Sequence, residues 1–193
     1  MEKYLLVGLG NPLDKYQNTR HNVGQMFILW LKEQKGNIDF EPNKHCSSLV
    51  LNTDSSFTKR KQEKTVALIL ALPQTFMNES GVAVKKLLNY YQLDSEHLIV
   101  IHDDNDLKVG QFKITFNQKS AGHKGIESII NHLKTQKFHR VKIGIQPLKT
   151  EKRLKAEKIV LKKFTPEEQN VLNELFFQIG SALENYFRQI IKD

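Results

Sequence analysis

The sequence predicts a single α/β domain, residues 1–193, built on a mixed sheet, and three observations carry that prediction. The length of 193 residues suits one domain, and a 39% hydrophobic content is enough to bury a core. Short apolar runs alternate along the chain with amphipathic stretches. Several of those runs are continuous in Val, Ile and Leu, as in strands whose two faces are both covered by helices.

Taken in order, the strand-like segments are Tyr4–Leu9, Leu49–Asn52, Val66–Leu72, Leu98–His102, Phe112–Phe116 and Val141–Ile145. Helical spacing of apolar residues predicts helices over about 22–35, 79–92, 123–135 and 165–192. The last has the clearest grammar: Thr165 can cap, Pro166 fits the first turn, and Glu168 completes a capping box. Its stripe from Val171 and Leu172 to Phe187 and Ile190 reads as a core-facing surface. Residues 53–64 read as a solvated loop, and 146–158 as a basic connector with a short helix at most.

Composition narrows the setting. No run of eighteen apolar residues exists to span a membrane, and the N-terminus lacks the pattern of a secretory signal, so a soluble cytoplasmic protein is expected. The single cysteine, Cys46, excludes an internal disulfide framework and a cysteine zinc site, and reads as a small filler residue. Net charge is +8, but Lys108–Lys163 alone holds 15 Lys and Arg against three acids, a balance of +12 that leaves −4 for the rest. That asymmetry favours a face meeting a polyanion such as nucleic acid.

The opening loop, VGLGNPLDKYQNTRHNVG at residues 7–24, begins like a dinucleotide-binding turn with Gly8 and Gly10. The third glycine is missing, since Leu13 stands there, and Pro12 has no N–H to offer a pyrophosphate. No acid closes a following strand at the distance a ribose contact needs, so the nucleotide reading fails. Four places instead set polar residues where a core would not want them. They are this loop with Asn11, Tyr16 and His21, then PQTFMNESG (73–81), IHDDND (101–106) and SAGHKG (120–125). Three of the four lie where a strand or turn delivers side chains to the end of a sheet, where open α/β sheets build sites.

IHDDND could hold a hard cation, yet as an EF-hand it fails, with Lys108 for glycine and Ile114 for glutamate. The better role for one of its acids is to orient a histidine. No Ser or Cys lies in a nucleophile-elbow pattern, so covalent catalysis is unsupported. A His–Asp pair among Asn amides suits activation of water and hydrolysis of an ester or amide, without metal or cofactor.

Jointly these motifs resemble the bacterial-type peptidyl-tRNA hydrolase family. The matching segments are VGLGNPLDKYQNTRHNVG, LPQTFMNESGVAV, IVIHDDNDLKVG, SAGHKGIESII, FHRVKIGI and IVLKKFTPEE, spread over nearly the whole chain. The resemblance implies a monomeric, metal-free esterase with a central mixed sheet flanked by helices in three layers. It would cleave the ester joining a peptide to the tRNA 3′ end, recycling tRNA from abandoned translation. By position His21 looks like the general base and Asp103 like its orienting carboxylate. Asn11 would contact the acyl part, so that blocked groups are accepted and free ones refused, and Asn78 would bind substrate and oxyanion. Tyr16, Phe76 and Met77 would line the acceptor-end groove, and Lys113 and Lys142 would clamp phosphate. A catalytically idle RNA-binding relative is the alternative, but binding phosphates needs none of Asn11, His21, Asn78 and Asp103.

Four departures from the family pattern stand out. Leu13 replaces a usual glycine, and Asn105 an apolar residue. Lys124 stands where the family has Asn, at a helix start whose dipole disfavours a cation; pairing with a tRNA phosphate, or keeping His21 neutral, would give it a role. Residues 113–120 lack the usual glycines, and Thr115 holds a position often basic, with Lys119 a possible substitute. Segments 105–111 and 146–158 are candidates for movable lids.

Overall fold

The centre of the molecule is a hydrophobic strand with no polar side, β1 (Lys3–Gly8), buried from Tyr4 onward. In a computed structural model, which describes residues 2–36, 38–59 and 62–190, β1 lies in the middle of a seven-stranded sheet. The others are β2 (Glu41–Asn43), β3 (Ser48–Lys59), β4 (Gln62–Pro73), β5 (Leu98–Lys108), β6 (Phe112–Phe116) and β7 (His139–Gln146). Their order is β2-β3-β4-β1-β5-β7-β6. β4, β1, β5 and β7 run parallel, while β2, β3 and β6 pair antiparallel at the two sides, so the sheet is mixed.

The helices are α1 (Leu13–Tyr16), α2 (Val23–Gln34), α3 (Ser80–Tyr91), α4 (Lys124–Leu133), α5 (Ala156–Ile159) and α6 (Pro166–Ile190). Alternate residues of the central strands feed two cores. Leu6, Leu68, Ile99 and Ile143 pack with α2 and α6 through Phe27, Leu172 and Phe176. Leu5, Val7, Ile69 and Val100 pack with α3 and α4 through Val84, Leu87, Ile126 and Ile129. The result is three layers, as the runs of Val, Ile and Leu required. None of the described helices is long and apolar enough to cross a membrane.

The glycines of the opening loop serve packing. A Cβ on Gly8 would come within 2.5 Å of the Gly24 carbonyl oxygen, and one on Gly24 within 2.2 Å of the Ile101 carbonyl oxygen. This pair lets α2 approach β1 and β5 closely and sets the height at which its first turn meets the sheet edge. Helix α6 starts as its sequence dictates: Thr165 N–H donates to Glu168 Oε2 at 2.9 Å and Glu168 N–H to Thr165 Oγ1 at 3.2 Å. Cys46 is fully buried in the α3/α4-side core.

Two expectations are corrected. Of the expected loop over 53–64, residues 53–59 are the outer half of β3 and 62–64 the start of β4, which pair residue by residue from Thr53↔Leu68 to Lys59↔Gln62. The run hides its strand character because pairing is a backbone property: Ser55 is buried, and Ser56 and Thr65 hydrogen-bond across the ladder at 2.9 Å. Residues 60 and 61, like 191 and 192 at the end of the last expected helix, fall outside the described residues. The strand expected to end at His102 continues to Lys108, with a register break between Asp104 and Lys108. The acids of IHDDND are therefore strand residues aimed by pleat and bulge.

Candidate active site

His21 lies in a single 3-10 turn, Arg20–Asn22, that leads into α2. Its backbone is held from outside: His21 N–H donates to the Val160 carbonyl at 2.8 Å and Arg20 N–H to that of Lys162 at 2.9 Å. Asp103, 3% exposed, sits where β5 leaves the core, and its Oδ1 meets His21 Nδ1 at 2.8 Å. An ionised carboxylate only accepts, so Nδ1 carries the hydrogen and the lone pair lies on Nε2, which has no partner among the described residues.

The same Asp103 oxygen accepts from a second imidazole, His123 Nε2, at 2.8 Å. His123 is the N-cap of α4, and its Nδ1 accepts the Ile126 N–H at 3.2 Å, which places its own hydrogen on Nε2. Behind it His102 lies edge-on, with ring centroids 4.7 Å apart, and donates from Nδ1 to the Asp103 carbonyl at 2.7 Å. Burial opposes charge on Asp103, but His21 and His123 override it and hold the carboxyl well below the ordinary range. Burial likewise opposes charge on His21, yet the charge and hydrogen bond of Asp103 raise its proton affinity, with Lys124 pulling the other way. His102 is kept neutral by burial first and by His123 second. One carboxylate thus orients two imidazoles, and His21 in its neutral form presents a lone pair on Nε2.

Asn11 is fixed by its neighbours rather than by its own loop. Asn22, fully buried, accepts the Asn11 N–H at 2.9 Å and donates to the Asn11 carbonyl at 2.8 Å and to Gln25 Oε1 at 3.0 Å. The Asn11 side-chain oxygen accepts the Met77 N–H at 2.9 Å, which leaves its Nδ2 hydrogens available to a ligand. Tyr16, half-buried, meets the edge of Phe76, which is 52% exposed, with centroids 6.5 Å apart. Asn78 follows on the next 3-10 turn with its side chain exposed. Met77 differs from expectation: its side chain is 4% exposed and packs in the core beneath Gly125, whose Cβ would fall 2.5 Å from Met77 Sδ. With its side chain in the α3/α4-side core, Met77 serves the site through its backbone amide, bonded to Asn11.

The basic residues are arranged around this centre. Lys124 is exposed at the first position of α4, beside His123. Lys142 on β7 pairs with Asp104 at 2.5 Å and stands opposite exposed Lys113 on β6. Thr115 is opposite Arg140, whose guanidinium is buried on the ring of Phe138 and donates to the Lys119 carbonyl at 2.9 Å. Lys119 itself is exposed on that loop. The two lid candidates are tied to each other, through Asn105 Nδ2 to the Leu154 carbonyl at 3.1 Å and Arg153 to Asp106 at 2.5 Å.

Of the residues expected in the site, Asn11, Tyr16, His21, Phe76, Asp103 and Lys124 converge, while Lys113 and Lys142 flank it. Two that matter were not singled out, His123 and Asn22. SAGHKG and TRHN displayed them, but only the fold shows that they hold Asp103 and Asn11. His21, Asp103 and His123 also bring three ligand-type atoms within 4.8 Å. Those atoms are already spent on each other, since Asp103 accepts both ring hydrogens.

Comparison with known proteins agrees with this geometry. The family model described as peptidyl-tRNA hydrolase matches residues 5–193. A peptidyl-tRNA hydrolase of Lactococcus lactis subsp. cremoris is 39% identical over 182 residues, 94% of this chain and 91% of that one. One of Prochlorococcus marinus is 35% identical over 188 residues, 95% and 89% of the two chains. The crystal structure of peptidyl-tRNA hydrolase from Acinetobacter baumannii superposes with a TM-score of 0.75 at 28% identity, covering 94% of this chain and 86% of that one. With its three-layer fold and a histidine–aspartate pair at the sheet edge, the chain belongs to the peptidyl-tRNA hydrolase family.

Proposed function

We propose that this site hydrolyses the ester between a peptide, or an N-blocked aminoacyl group, and the 3′-terminal ribose of tRNA, with His21 as general base. The observation that carries the reading is the His21–Asp103 bond of 2.8 Å, which leaves the imidazole lone pair on Nε2. Water gives a proton to Nε2 as its oxygen attacks the ester carbonyl. The tetrahedral oxyanion then collapses, the ribose oxygen leaves, and His21 returns the proton to it. The products are a free carboxylic acid and deacylated tRNA.

The amide hydrogens of Asn11 meet the acyl group, and Asn78 donates to the developing oxyanion, a contact worth about 10²–10³ in rate. Tyr16 and Phe76 give the terminal base an aromatic edge to rest on. Exposed Lys113 and Lys124 face the phosphates of the acceptor end, with Lys142, paired to Asp104, adding its charge from behind, in keeping with the local excess of +12 over 108–163. The reading needs one copy of the chain and no metal, and places it in the cytoplasm with its substrate.

The test is single-turnover release of an N-blocked aminoacyl group from tRNA in EDTA, with His21→Ala and an unblocked substrate beside it. Release by the wild type alone, and from the blocked substrate alone, supports the proposal. Tight tRNA binding without release makes the chain an RNA-binding relative.

A further inference from the structure

The catalytic turn is held by the far end of the chain. Arg20, the residue before His21, is 4% exposed and sends its guanidinium away from the site. Its Nη1 donates to the Ile145 carbonyl at 2.9 Å, at the end of β7, and its Nη2 meets Glu168 Oε2 at 2.6 Å. The face of the guanidinium stacks over Phe164 with 4.8 Å to the ring centroid. Glu168 is equally buried, and the same oxygen accepts the Thr165 N–H at 2.9 Å. The side chain that caps α6 is therefore also the counter-ion of the residue next to His21.

The backbone repeats the connection. Between α5 and α6 the chain passes alongside the turn, pairing Thr19 with Lys163 in a β-bridge and accepting the N–H groups of Arg20 and His21. That passage, Val160–Lys163, exposes Leu161, Lys162 and Lys163 and runs between two core residues, Ile159 and Phe164. Its downstream end is anchored by Phe164, buried in the core beneath the Arg20 guanidinium. Removing the Glu168 charge would leave Arg20 buried without its partner, which a fold relieves by moving. The turn that carries Arg20 also carries His21, so a shift of one shifts the other.

Resting on the reading of His21 as general base, we propose that Glu168 is a positioning residue for hydrolysis: through Arg20 it locks the Arg20–Asn22 turn so that His21 keeps its bond to Asp103. Arg20 shares the role, and neither side chain touches substrate. A helix cap more than 140 residues away in sequence thus governs the geometry of the base. Because Lys162 and Lys163 sit on the same passage, tRNA phosphates drawn to them would load the segment that holds the turn.

The experiment compares wild type, Glu168→Gln, Thr165→Ala and His21→Ala in single-turnover release with enzyme in excess, together with tRNA affinity, Tm and the pH profile of the rate. Glu168→Gln is expected to bind deacylated tRNA within about twofold of wild type yet release the acyl group about 10- to 100-fold more slowly, the cost of misplacing a reacting group by ångströms. Its acid limb moves to lower pH, because His21 loses the carboxylate that raises its proton affinity. Thr165→Ala, which weakens the α6 cap but leaves Arg20–Glu168 intact, lowers Tm without changing the rate or its acid limb.

Where Glu168→Gln fails to fold, Arg20→Lys takes its place: it keeps the charge but gives up the fork that bridges Ile145 and Glu168. It is expected to show the same slow release and displaced acid limb. A folded Glu168→Gln or Arg20→Lys with wild-type rate and acid limb overturns the proposal and leaves the pair as a structural staple. A wild type that releases nothing, or a His21→Ala that releases normally, instead overturns the reading on which it rests.

Discussion

Replacing Asp103 with asparagine separates the two things this carboxylate does. Its Oδ1 accepts from His21 Nδ1 and from His123 Nε2, each at 2.8 Å, and the group is 3% exposed. An amide oxygen in the same place keeps both hydrogen bonds, and with them the tautomer of each ring, but removes the charge. A hydrogen bond to a charged group contributes about 1.5–3 kcal/mol and a neutral one about 0.5–1.5 kcal/mol, so the difference is about 1–1.5 kcal/mol. Only the bond to His21 strengthens as the imidazole gains a proton, which makes the expected loss in rate roughly 5- to 15-fold. Asp103→Ala is a different perturbation: it strands two buried N–H donors and frees His21 to turn, for a loss of about 10²–10³.

The assay is single-turnover release from an N-blocked aminoacyl-tRNA across pH. Asp103 raises the proton affinity of His21, so Asn at 103 moves the acid limb to lower pH and extends activity into weakly acidic buffer. Stability follows the same linkage with the sign fixed by each shift. Asp103, depressed in the fold, contributes above its ordinary value of about 3.8 and loses that contribution as pH falls below it. His21, raised in the fold, contributes below its ordinary 6.5 and loses that as pH rises through its folded value. Equal losses for Asn and Ala, or an acid limb that stays in place in Asp103→Asn, would refute the separation of orientation from charge.

Lys124→Gln should move the acid limb the other way, to higher pH, since the ammonium opposes protonation of His21. If Lys124 also meets a phosphate, the salt dependence of tRNA binding should shallow by nearly one unit of slope, and an unaltered slope would remove that contact. Ala121→Gly should stabilise the fold by about 0.5–1 kcal/mol in urea melts, because Ala121 holds φ +49 in the loop before His123, a conformation costly for a side chain. Gly24→Ala should cost about 3 kcal/mol and slow release with it, because the new Cβ meets the Ile101 carbonyl oxygen at 2.2 Å and pushes α2 away from β5. A soluble, fully active Gly24→Ala would show that the close approach of α2 is dispensable.

Much of this molecule was legible before any coordinate. Continuous runs such as LILAL and LIVI admit only strands covered on both faces, and the Thr165–Glu168 box fixed the start of the last helix within a residue. Local grammar of this kind depends on neighbours in the chain, which is why it can be read there. His21, Asp103 and Asn11 were visible for a related reason: polar residues in otherwise apolar surroundings at strand ends have few structural uses.

What the tertiary structure decided is who holds whom. The polar half of β3 looked like loop because backbone pairing with β4 leaves no mark on side-chain type. Met77 looked like a groove residue until the gap under Gly125 claimed its side chain. His123 and Asn22, and the line from Glu168 through Arg20 to His21, join residues 20 to 148 positions apart, except where Asn22 turns back on Asn11. Hydrogen bonds at that separation are set by crossing points of elements, which packing of the whole sheet and its helices determines and no local pattern encodes.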